Sequence, residues 1–353
     1  MSSLFIRNKS LKILITGGSG FLGRHIVKEF LEAGSLMDIR LIRVFDLKSY
    51  PDNGNLTDER IEFFQADIRD LDALNKACMG IDIVIHSAAI VDWGTHSEKE
   101  VFDVNVGGTE NVIRACKENG IVILVFTSSL DAVYNGEPLV NIDENVPYPE
   151  NHSNMYCRSK YLSEISVLEA NSGKLRTCVL RPADIYGEGD PYHIDSLINM
   201  AKNGFYVRLG NGTSRCQHVY VGNMAYAHVL VTLAMIMENC SVCGETYFIT
   251  DGSGVNFFSF FDQIVEKAGY KIWPRNLWLP RWFAFLLGTM SEFIVLLARP
   301  FTKYNPKFSR FAVTYTCTDF TFSAGKAKRD FGYITKYDER EAFERTITYY
   351  KKS

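Results

Sequence analysis

A tyrosine and a lysine lie four positions apart in the stretch "YCRSK", at Tyr156 and Lys160. Residues at this spacing share one face of a helix. A phenol titrates near pH 10, and a nearby ammonium group favours its ionised form. The pair could therefore remove a proton from a substrate hydroxyl as a general base. Because such pairs also occur by chance, the surrounding elements must decide.

A glycine-rich turn near the start of the chain favours nucleotide binding. An apolar strand-like run, "KILIT", is followed by "GGSGFLG" and then by a helical pattern, which is the order of elements that binds dinucleotides. Gly17 permits a tight turn, Gly20 lets a pyrophosphate approach the backbone, and Gly23 lets the helix pack close to its strand. The free N–H groups at the helix N-terminus would bind phosphate. The residues assigned to this contact are Gly17, Gly20, Phe21, Leu22 and Gly23. An ordinary glycine-rich turn is the alternative.

Two acidic residues at later strand ends predict the adenosine end of a dinucleotide site. Asp46 ends the strand-like run "IRLIRVFD", 23 residues after Gly23. A carboxylate at this place accepts hydrogen bonds from the ribose hydroxyls and repels a 2′-phosphate, which favours NAD over NADP. The run "RIEFFQADI" predicts another strand, after which Asp67 and Ile68 would bracket the adenine.

Strand-like and helix-like segments alternate through the first half of the chain. This alternation predicts an α/β fold with a Rossmann-type doubly wound parallel sheet, whose ligand lies beyond the carboxyl ends of the strands. We expect an NAD-binding domain over residues 1–180, including a long helix at about 98–119. A smaller substrate-binding region is expected over residues 181–353. Within it, "HIDSLINMAKNG" and "FFSFFDQIVEKAG" predict helices, and "SRCQHVYV" and "ETYFIT" predict strands.

Further candidates follow the predicted strands. Ala88 lies among the small residues after "DIVIH", where a cofactor could rest against the chain. Ser129 ends "VILVFTSS", 27 residues before Tyr156, and could hydrogen-bond the oxygen of a substrate alcohol. Lys160 would support the phenolate and hold the nicotinamide ribose while hydride leaves the carbon. Asn105 is assigned to the cofactor site, where it could anchor a water or order its helix. A buried polar residue or a local turn is the alternative for Asn105.

Together these motifs resemble those of the extended short-chain dehydrogenase/reductase superfamily. "TGGSGFLG" is similar to its cofactor turn, and "YCRSK" is similar to its Y-x-x-x-K motif. From residue 12 to about 335 the chain resembles the 3β-hydroxysteroid dehydrogenase/isomerase family, through segments such as "VNVGGTENVIRAC" and "HVYVGNMAYAHVL". The tail "ARPFTKYNPKFSRFAVT" matters most, because sugar-nucleotide epimerases share the earlier motifs but not this one. By the same resemblance, "RPADIYG" places Pro182 and Ala183 beside the nicotinamide.

The resemblance implies an NAD-dependent oxidoreductase that oxidises the 3β-hydroxyl of a sterol or steroid to a ketone. The family is also known for a double-bond isomerase step, to which no residue is assigned. A decarboxylating sterol-4-carboxylate 3-dehydrogenase is an alternative, and its substrate calls for a cation beside the carboxylate. A non-catalytic dinucleotide-binding sensor or scaffold is an alternative of another class. We expect an enzyme, because Ser129, Tyr156 and Lys160 are all present.

The segment "WFAFLLGTMSEFIVLLA", residues 282–298, is apolar enough to contact a membrane. Its only charged residue is Glu292. As a helix it would be about 25 Å long, which is short of the roughly 30 Å of a bilayer's hydrocarbon core. Arg281, Arg299 and Lys303 flank it and could reach lipid headgroups. We expect shallow membrane attachment, with a pocket lid or a full span as alternatives.

The bulk composition excludes few classes of protein. The 353 residues are 46% hydrophobic and 22% charged, as in folded proteins. A formal net charge of −3 gives no reason to expect nucleic acid as a partner. Cys240 and Cys243 form a single CxxC without a second pair, so no metal site is assigned. We expect an intracellular protein, at the endoplasmic reticulum if eukaryotic or at the cytoplasmic face of the membrane if bacterial. A homodimer is a further expectation.

Overall fold

A parallel β-sheet forms the centre of the structure, a computed structural model that describes residues 10–49, 58–92, 96–237, 241–298 and 309–352. The strands of the described chain are β1 (Leu11–Thr16), β2 (Ile39–Asp46), β3 (Ile61–Gln65), β4 (Ile83–His86), β5 (Ile123–Thr127), β6 (Leu139–Ile142), β7 (Arg176–Pro182), β8 (Asp184–Tyr186), β9 (Arg208–Leu209), β10 (His218–Tyr220), β11 (Glu245–Ile249), β12 (Trp278–Leu279) and β13 (Phe320–Phe322). Seven of them form one sheet in the order β11-β7-β5-β4-β1-β2-β3, with every neighbouring pair parallel. The predicted Rossmann-type α/β fold is confirmed.

Helices cover both faces of the sheet, as parallel sheets require. The helices of the described chain are α1 (Phe21–Glu32), α2 (Leu71–Cys78), α3 (Glu98–Phe102), α4 (Gly108–Glu118), α5 (Met155–Glu169), α6 (Ile194–Lys202), α7 (Val221–Ile236), α8 (Phe257–Lys267), α9 (Arg281–Ala298), α10 (Arg310–Thr316), α11 (Gly325–Phe331) and α12 (Glu339–Tyr350). On β1, Ile13 and Ile15 face the core formed with α1 and α7, whereas Leu14 faces the core formed with α2, α4 and α5. These alternating side chains explain why the strand is apolar throughout.

The helix predicted at about 98–119 is present but is not a regular α-helix. It consists of α3, a π-helical turn at Asp103–Gly107, and α4. A π-helical turn widens the helix locally and often marks a functional site. Asn105 lies in this turn, whereas Gly108 follows it and has no room for a side chain. A Cβ added at Gly108 would lie 2.4 Å from Ile68 Cδ1.

The chain beyond residue 180 returns to the central sheet. The expected domain boundary lies within β7, and β11 then pairs with β7 at the edge of the sheet. Helix α7 packs on the same face as α1. Both predicted helices and both predicted strands of this region are present, as α6 and α8 and as β10 and β11, with shorter bounds than the predicted segments. The substrate-side region therefore shares its core with the nucleotide-binding sheet.

The apolar segment forms α9, in agreement with its predicted helical character. Among the described residues, no helix combines the length and apolarity needed to cross a membrane. Helix α9 packs against α10, and Ala284 and Gly288 lie on its buried side. Many of its large apolar side chains are exposed instead: Trp282, Phe283, Phe285, Leu286, Met290, Phe293, Ile294 and Leu297. The flanking Arg299 and Lys303 lie outside the described residues.

Candidate active site

A cavity of about 750 Å³ runs along the carboxyl ends of the central strands. Predicted residues line it from one end to the other: Gly17, Gly20, Phe21, Leu22, Gly23, Asp46, Asp67, Ile68, Ala88, Ser129, Tyr156, Lys160, Pro182 and Ala183. These residues come from separate strand ends, from the first turn of α1 and from α5, and the sheet topology brings them together. The position agrees with the general rule for ligands of open α/β sheets.

The glycine turn forms a cradle in which side chains have no space. Gly17 has a φ of +72°, and a Cβ added there would lie 2.7 Å from the backbone of Ala88. A Cβ added at Gly23 would lie only 2.0 Å from the carbonyl oxygen of Gly17. Gly20 is the N-cap of α1 and offers no capping side chain, so the first N–H groups of the helix lack a side-chain cap. This turn therefore fits a pyrophosphate, as its sequence predicts.

The carboxylates at the ends of β2 and β3 are held in fixed positions. Asp46 accepts hydrogen bonds from the backbone N–H groups of Ser19 and Lys48, at 3.0 and 2.9 Å. Asp67 forms a bidentate pair with Arg69, and this hydrogen bonding lowers the pKa of the carboxyl group. Asp46 thus has the place and orientation of a ribose acceptor. Ile68 is buried beside Asp67, which fits the predicted adenine contact.

The three predicted catalytic residues meet at the end of β5. Asn154 caps the N-terminus of α5, which fixes the first turn that carries Tyr156. Lys160 lies one turn further on and donates a hydrogen bond from its Nζ to the carbonyl oxygen of Thr127, at 2.8 Å. Ser129 lies two residues beyond the end of β5, near the phenol of Tyr156, and it acts to lower the pKa of that phenol. All three catalytic side chains are at least nine-tenths buried.

The protein alone does not favour the ionised phenol. Burial raises the pKa of Tyr156 well above its usual value, Asp131 raises it further, and the nearby Ser129 hydroxyl only partly opposes them. Burial also lowers the pKa of Lys160 to about 8, despite the attraction of Glu164 and Asp131. The expected stabilisation by the ammonium is therefore outweighed. A further positive charge or a proton acceptor is needed before Tyr156 can act as a base.

Asn105 does not line the cavity, although we assigned it to the cofactor site. Its Oδ1 accepts a hydrogen bond from the N–H of Ile90, and its Nδ2 donates to the carbonyl oxygen of Ile90 and to Ser159 Oγ. The side chain is buried and ties the loop after β4 to helix α5. Asn105 thus connects the loop after β4 to the helix that carries Tyr156 and Lys160, which differs from the predicted contact with the cofactor.

Several residues of the cavity wall were not predicted from sequence. Phe311 and Tyr315, one turn apart on α10, line the cavity near Asp184. Tyr315 donates a hydrogen bond to Asp184, and burial raises the pKa of that carboxyl group. Asp131 follows Ser129 by two positions and is also buried against the cavity. For Asp131, its place two residues after the predicted catalytic serine was a local signal in the sequence. For Phe311 and Tyr315, the distance along the chain hides their position near Asp184.

His193 is a cationic group in the same wall. Burial acts to lower the pKa of His193, but the ion pair with Asp190 outweighs this effect and raises the pKa to about 9. Tyr192 precedes it, also lines the cavity, and acts electrostatically on Tyr156. The loop that carries these residues therefore lies close to the reacting end of the cavity.

Asp184 contacts a second group of ligand-type side chains. The Oδ2 atom of Asp184 lies 4.0 Å from His218 Nδ1, and Cys216 Sγ lies 3.5 Å from His218 Nε2. The ring of His218 stacks on Phe260 with centroids 4.1 Å apart. All three polar residues are buried. Their contacts tie β8 and β10 to helix α8 behind the cavity wall.

The comparisons with known proteins agree with this geometry. The family model described as the 3-beta hydroxysteroid dehydrogenase/isomerase family matches residues 14–280. A 3 beta-hydroxysteroid dehydrogenase type 7 of Mus musculus is 35% identical over 352 residues, covering 96% of this chain and 95% of its own. A decarboxylating sterol-4-alpha-carboxylate 3-dehydrogenase of Schizosaccharomyces pombe is 33% identical over 338 residues, covering 94% and 95%.

Solved structures show the same fold at lower identity. A dTDP-glucose 4,6-dehydratase of Streptomyces venezuelae, solved with NAD bound, has a TM-score of 0.73 at 21% identity and covers 96% of this chain and 97% of its own. MoeE5, solved with UDP-glucuronic acid and NAD, has a TM-score of 0.73 at 21% identity and covers 96% and 98%. At this level of identity, the similarity is evidence for a shared fold alone.

Proposed function

Because the chain belongs to the 3-beta hydroxysteroid dehydrogenase/isomerase family, we propose that it oxidises the 3β-hydroxyl of a sterol or steroid to a ketone, with NAD as the hydride acceptor. One observation carries the proposal. A single cavity joins the glycine cradle and Asp46 at one end to Ser129, Tyr156 and Lys160 at the other. This arrangement fits a dinucleotide and an alcohol that meet at the phenol.

Each catalytic side chain has a distinct task in this proposal. Tyr156 removes the hydroxyl proton of the substrate, and Ser129 holds the substrate oxygen by a hydrogen bond. Lys160 is anchored on the Thr127 carbonyl and would hold the nicotinamide ribose and support the phenolate. NAD bound along the cavity would accept the hydride and add a positive charge near the phenol. That charge supplies what the buried site lacks for ionising Tyr156.

The cavity wall supports an apolar substrate. Phe311, Tyr315 and Pro182 line the cavity near the catalytic residues. The fused rings of a sterol are apolar, so burying them against such side chains is favourable by about 25 cal/mol per Å² of apolar surface. The same wall carries Asp184 and Tyr315, and the phenol of Tyr315 donates a hydrogen bond to Asp184 Oδ1.

Decarboxylating dehydrogenation of a sterol-4-carboxylate is the second candidate. Enzymes of that name from Schizosaccharomyces pombe and Mus musculus are 33% and 31% identical to this chain. The substrate carboxylate would need a cation near the reacting carbon. His193 is a charged group in the wall close to Tyr192, and its raised pKa of about 9 keeps it cationic at neutral pH. A β-keto acid formed by oxidation would then lose carbon dioxide.

Production of NADH by the purified protein tests both candidates. The substrates are a panel of 3β-hydroxysterols and sterol-4-carboxylates, each offered with NAD and with NADP. Turnover with NAD that is lost in Tyr156→Phe supports the oxidoreductase, and release of carbon dioxide selects the second candidate. If wild-type protein turns over no panel member while it binds NAD tightly, the sterol assignment is wrong and a binding role takes its place.

We also propose that α9 lies shallowly on a membrane surface, inside the cell. Trp282, Phe293 and Leu297 are each more than half exposed, although water solvates such side chains poorly. Glu292 is the one charged residue within segment 282–298. It forms an ion pair with Arg310 at 2.7 Å, so its charge is balanced by a residue of the protein itself. A bilayer that holds the sterol substrate is the partner whose chemistry fits this surface. A homodimer stays a prediction.

Vesicle binding tests this attachment. Wild-type protein should co-sediment with phosphatidylcholine vesicles, more strongly when phosphatidylserine is added. The double variant Trp282→Ser/Phe293→Ser should bind at least about tenfold more weakly, because each large apolar side chain contributes about 1.5–3 kcal/mol when buried. Ile334→Ser is the matched control, since Ile334 is 67% exposed but lies outside α9. Equal vesicle binding by both variants would refute the attachment through α9.

A further inference from the structure

Arg24 connects the glycine turn to a loop that is distant in the sequence. It directly follows Gly23 in helix α1 and lines the same cavity as the glycine cradle. Its Nη2 atom donates hydrogen bonds to the carbonyl oxygens of Glu188 and Gly189, both at 3.1 Å. These two residues lie between β8 and α6, 164 and 165 positions further along the chain. The proposed function assigns no task to Arg24.

The loop of residues 187–193, which we call the wall loop, forms part of the cavity wall. Pro191, Tyr192 and His193 all line the cavity, together with Ser129 and Tyr156 of the catalytic group. The position of the wall loop therefore contributes to the shape of the space in which an alcohol would meet the phenol.

The backbone of the wall loop lies directly against the guanidinium of Arg24. Gly189 has a φ of +79°, and a Cβ added there would lie 1.7 Å from Arg24 Nη2. Gly187, at the start of the loop, has a φ of +145°. Glycine adopts such conformations readily, whereas other residues do so rarely. The two glycines thus permit the close approach that the hydrogen bonds of Arg24 require.

Further contacts hold the wall loop from both halves of the chain. From the nucleotide-binding half, His25 Nε2 lies 3.2 Å from the carbonyl oxygen of Glu188. From the substrate-side half, Tyr220 donates a hydrogen bond to the Glu188 carboxylate at 2.8 Å, and Tyr350 donates to the carbonyl oxygen of Asp190 at 3.1 Å. The wall loop thus bridges the two halves, with Arg24 as a charged contact on the cofactor side.

Arg24 also has donors left for an anion. Both of its hydrogen bonds come from Nη2, and its Nε and Nη1 atoms make none within the described parts of the chain. The neighbouring glycine cradle fits a pyrophosphate, and hydrogen bonds between a guanidinium and phosphate are among the strong ones in proteins. NAD in the cradle would therefore attract Arg24 while Nη2 still holds the wall loop.

We propose that Arg24 is a positioning residue that fastens the wall loop to the cofactor cradle, and that NAD binding strengthens this contact. The inference rests on the proposed binding of NAD along the cavity. The negative charge of the pyrophosphate attracts the guanidinium and, through it, the backbone of the wall loop, so the wall at the alcohol end is most ordered when the hydride acceptor is present. By linkage, a substrate that packs against the ordered loop raises the affinity for NAD by the same factor.

Hydrogen–deuterium exchange of the full-length protein, with and without NAD, tests this coupling without a substrate. The N–H of Asp190 donates to the carbonyl oxygen of Gly187, and the N–H groups of Tyr192 and His193 donate to the Asp190 carboxylate. These amides exchange when the loop opens, so peptides that cover residues 187–193 report its stability. Peptides that cover residues 17–24 report the cradle.

Saturating NAD should slow exchange in both regions of the wild-type protein. Arg24→Leu should keep the NAD-dependent protection of the cradle but lose at least about tenfold of the protection of the wall loop, as expected for one charge-assisted hydrogen bond. Arg24→Lys should retain part of it, because its ammonium keeps the charge and can still donate. Lys28→Leu is the matched control, since Lys28 lies one turn further along α1, is half exposed and is 4.0 Å from its ion-pair partner Glu32.

A second variant reaches the same contact from the loop. If Arg24→Leu does not fold, Gly189→Ala replaces it, because the new Cβ would displace the guanidinium without removing it. Gly204→Ala is its control. Gly204 has a similar φ of +68°, but a Cβ added there would have no atom within 4 Å. Gly189→Ala should lose the NAD-dependent protection of the wall loop, and Gly204→Ala should keep it.

Equal NAD-dependent protection of the wall loop in wild type and Arg24→Leu would overturn the role of Arg24 and leave the proposed NAD site intact. The same conclusion follows if NAD binds to wild type, as measured by calorimetry, without slowing exchange in the loop. If wild type binds no NAD, the inference and the proposed function fail together. With a sterol that is turned over, Arg24→Leu should raise KM by about tenfold and change kcat less, and a fall in kcat at unchanged KM would contradict the positioning role.

Discussion

The close backbone contacts around Gly23 predict how much a side chain at this position would destabilise the protein. In Gly23→Ala, the new Cβ would lie 2.0 Å from the carbonyl oxygen of Gly17 and 2.6 Å from the Cα of Gly18. Nonbonded carbon atoms prefer separations of about 3.5–4.0 Å, so the turn must move by about 1 Å or more. Both neighbours belong to the backbone, and no side chain can rotate away. We expect a loss of about 1–3 kcal/mol in the free energy of unfolding, as for other overpacked sites.

The same displacement moves the N–H groups that would hold the pyrophosphate. A hydrogen bond to a charged group contributes about 1.5–3 kcal/mol, so losing one of them weakens NAD binding by about 10- to 100-fold. Urea unfolding followed by circular dichroism gives the stability, and isothermal titration calorimetry gives the dissociation constant for NAD. Both quantities should change in the Gly23→Ala variant.

The control for this prediction is a glycine at the other end of α1, just after its last residue. Gly34 lies in the short 3₁₀ turn Ala33–Ser35, where an added Cβ would have no atom within 4 Å. Gly34→Ala should keep the NAD affinity of wild type and gain up to about 0.4–1 kcal/mol, because alanine restricts the unfolded chain. If Gly23→Ala matches Gly34→Ala in both measurements, the turn is not the phosphate cradle and the packing argument is wrong.

Further variants test the rest of the site. Tyr156→Phe should lower kcat by about 100-fold or more while the NAD dissociation constant measured by calorimetry stays within about twofold of wild type; an equal loss of NAD affinity would instead show a binding role for the phenol. Glu164→Gln should cost about 3–5 kcal/mol in urea unfolding, because it leaves Arg181 buried without its ion pair, and the exposed Glu169→Gln is its control. Asn105→Ala should cost about 1–3 kcal/mol, since it removes the side-chain partner of the Ile90 N–H and carbonyl groups, and its kcat should fall more than its NAD affinity.

Local patterns in the sequence were enough to predict the cofactor end of the site. Residues 11–32 contain an apolar strand, three spaced glycines and a helical pattern, and each of these signals lies within a few residues of the atoms it positions. Asp46 could be predicted for the same reason, because it ends the next strand. The fold class followed from the repeated alternation of such segments.

The substrate end could not be predicted in the same way. Tyr315 reaches Asp184 across 131 residues of sequence, and α10 carries no motif that indicates such a contact. Asn105 was assigned to the cofactor site from its place in "VNVGGT", where it could anchor a water or order its helix. Only the structure reveals that a π-helical turn holds its amide between Ile90 and Ser159. Long-range packing therefore decides this half of the site.

The role of Glu292 becomes clear only from its contact with a residue that is distant in the sequence. In sequence it is a charge near the middle of an apolar helix, which argues against a full membrane span. In the structure its carboxylate accepts hydrogen bonds from the backbone N–H and the side chain of Arg310, the first residue of α10. Gly288, one turn earlier, touches the same end of α10, where an added Cβ would lie 3.0 Å from Arg310 N. The charge therefore fastens α9 to the helix that carries Phe311 and Tyr315, and α9 cannot leave its place without disturbing the cavity wall.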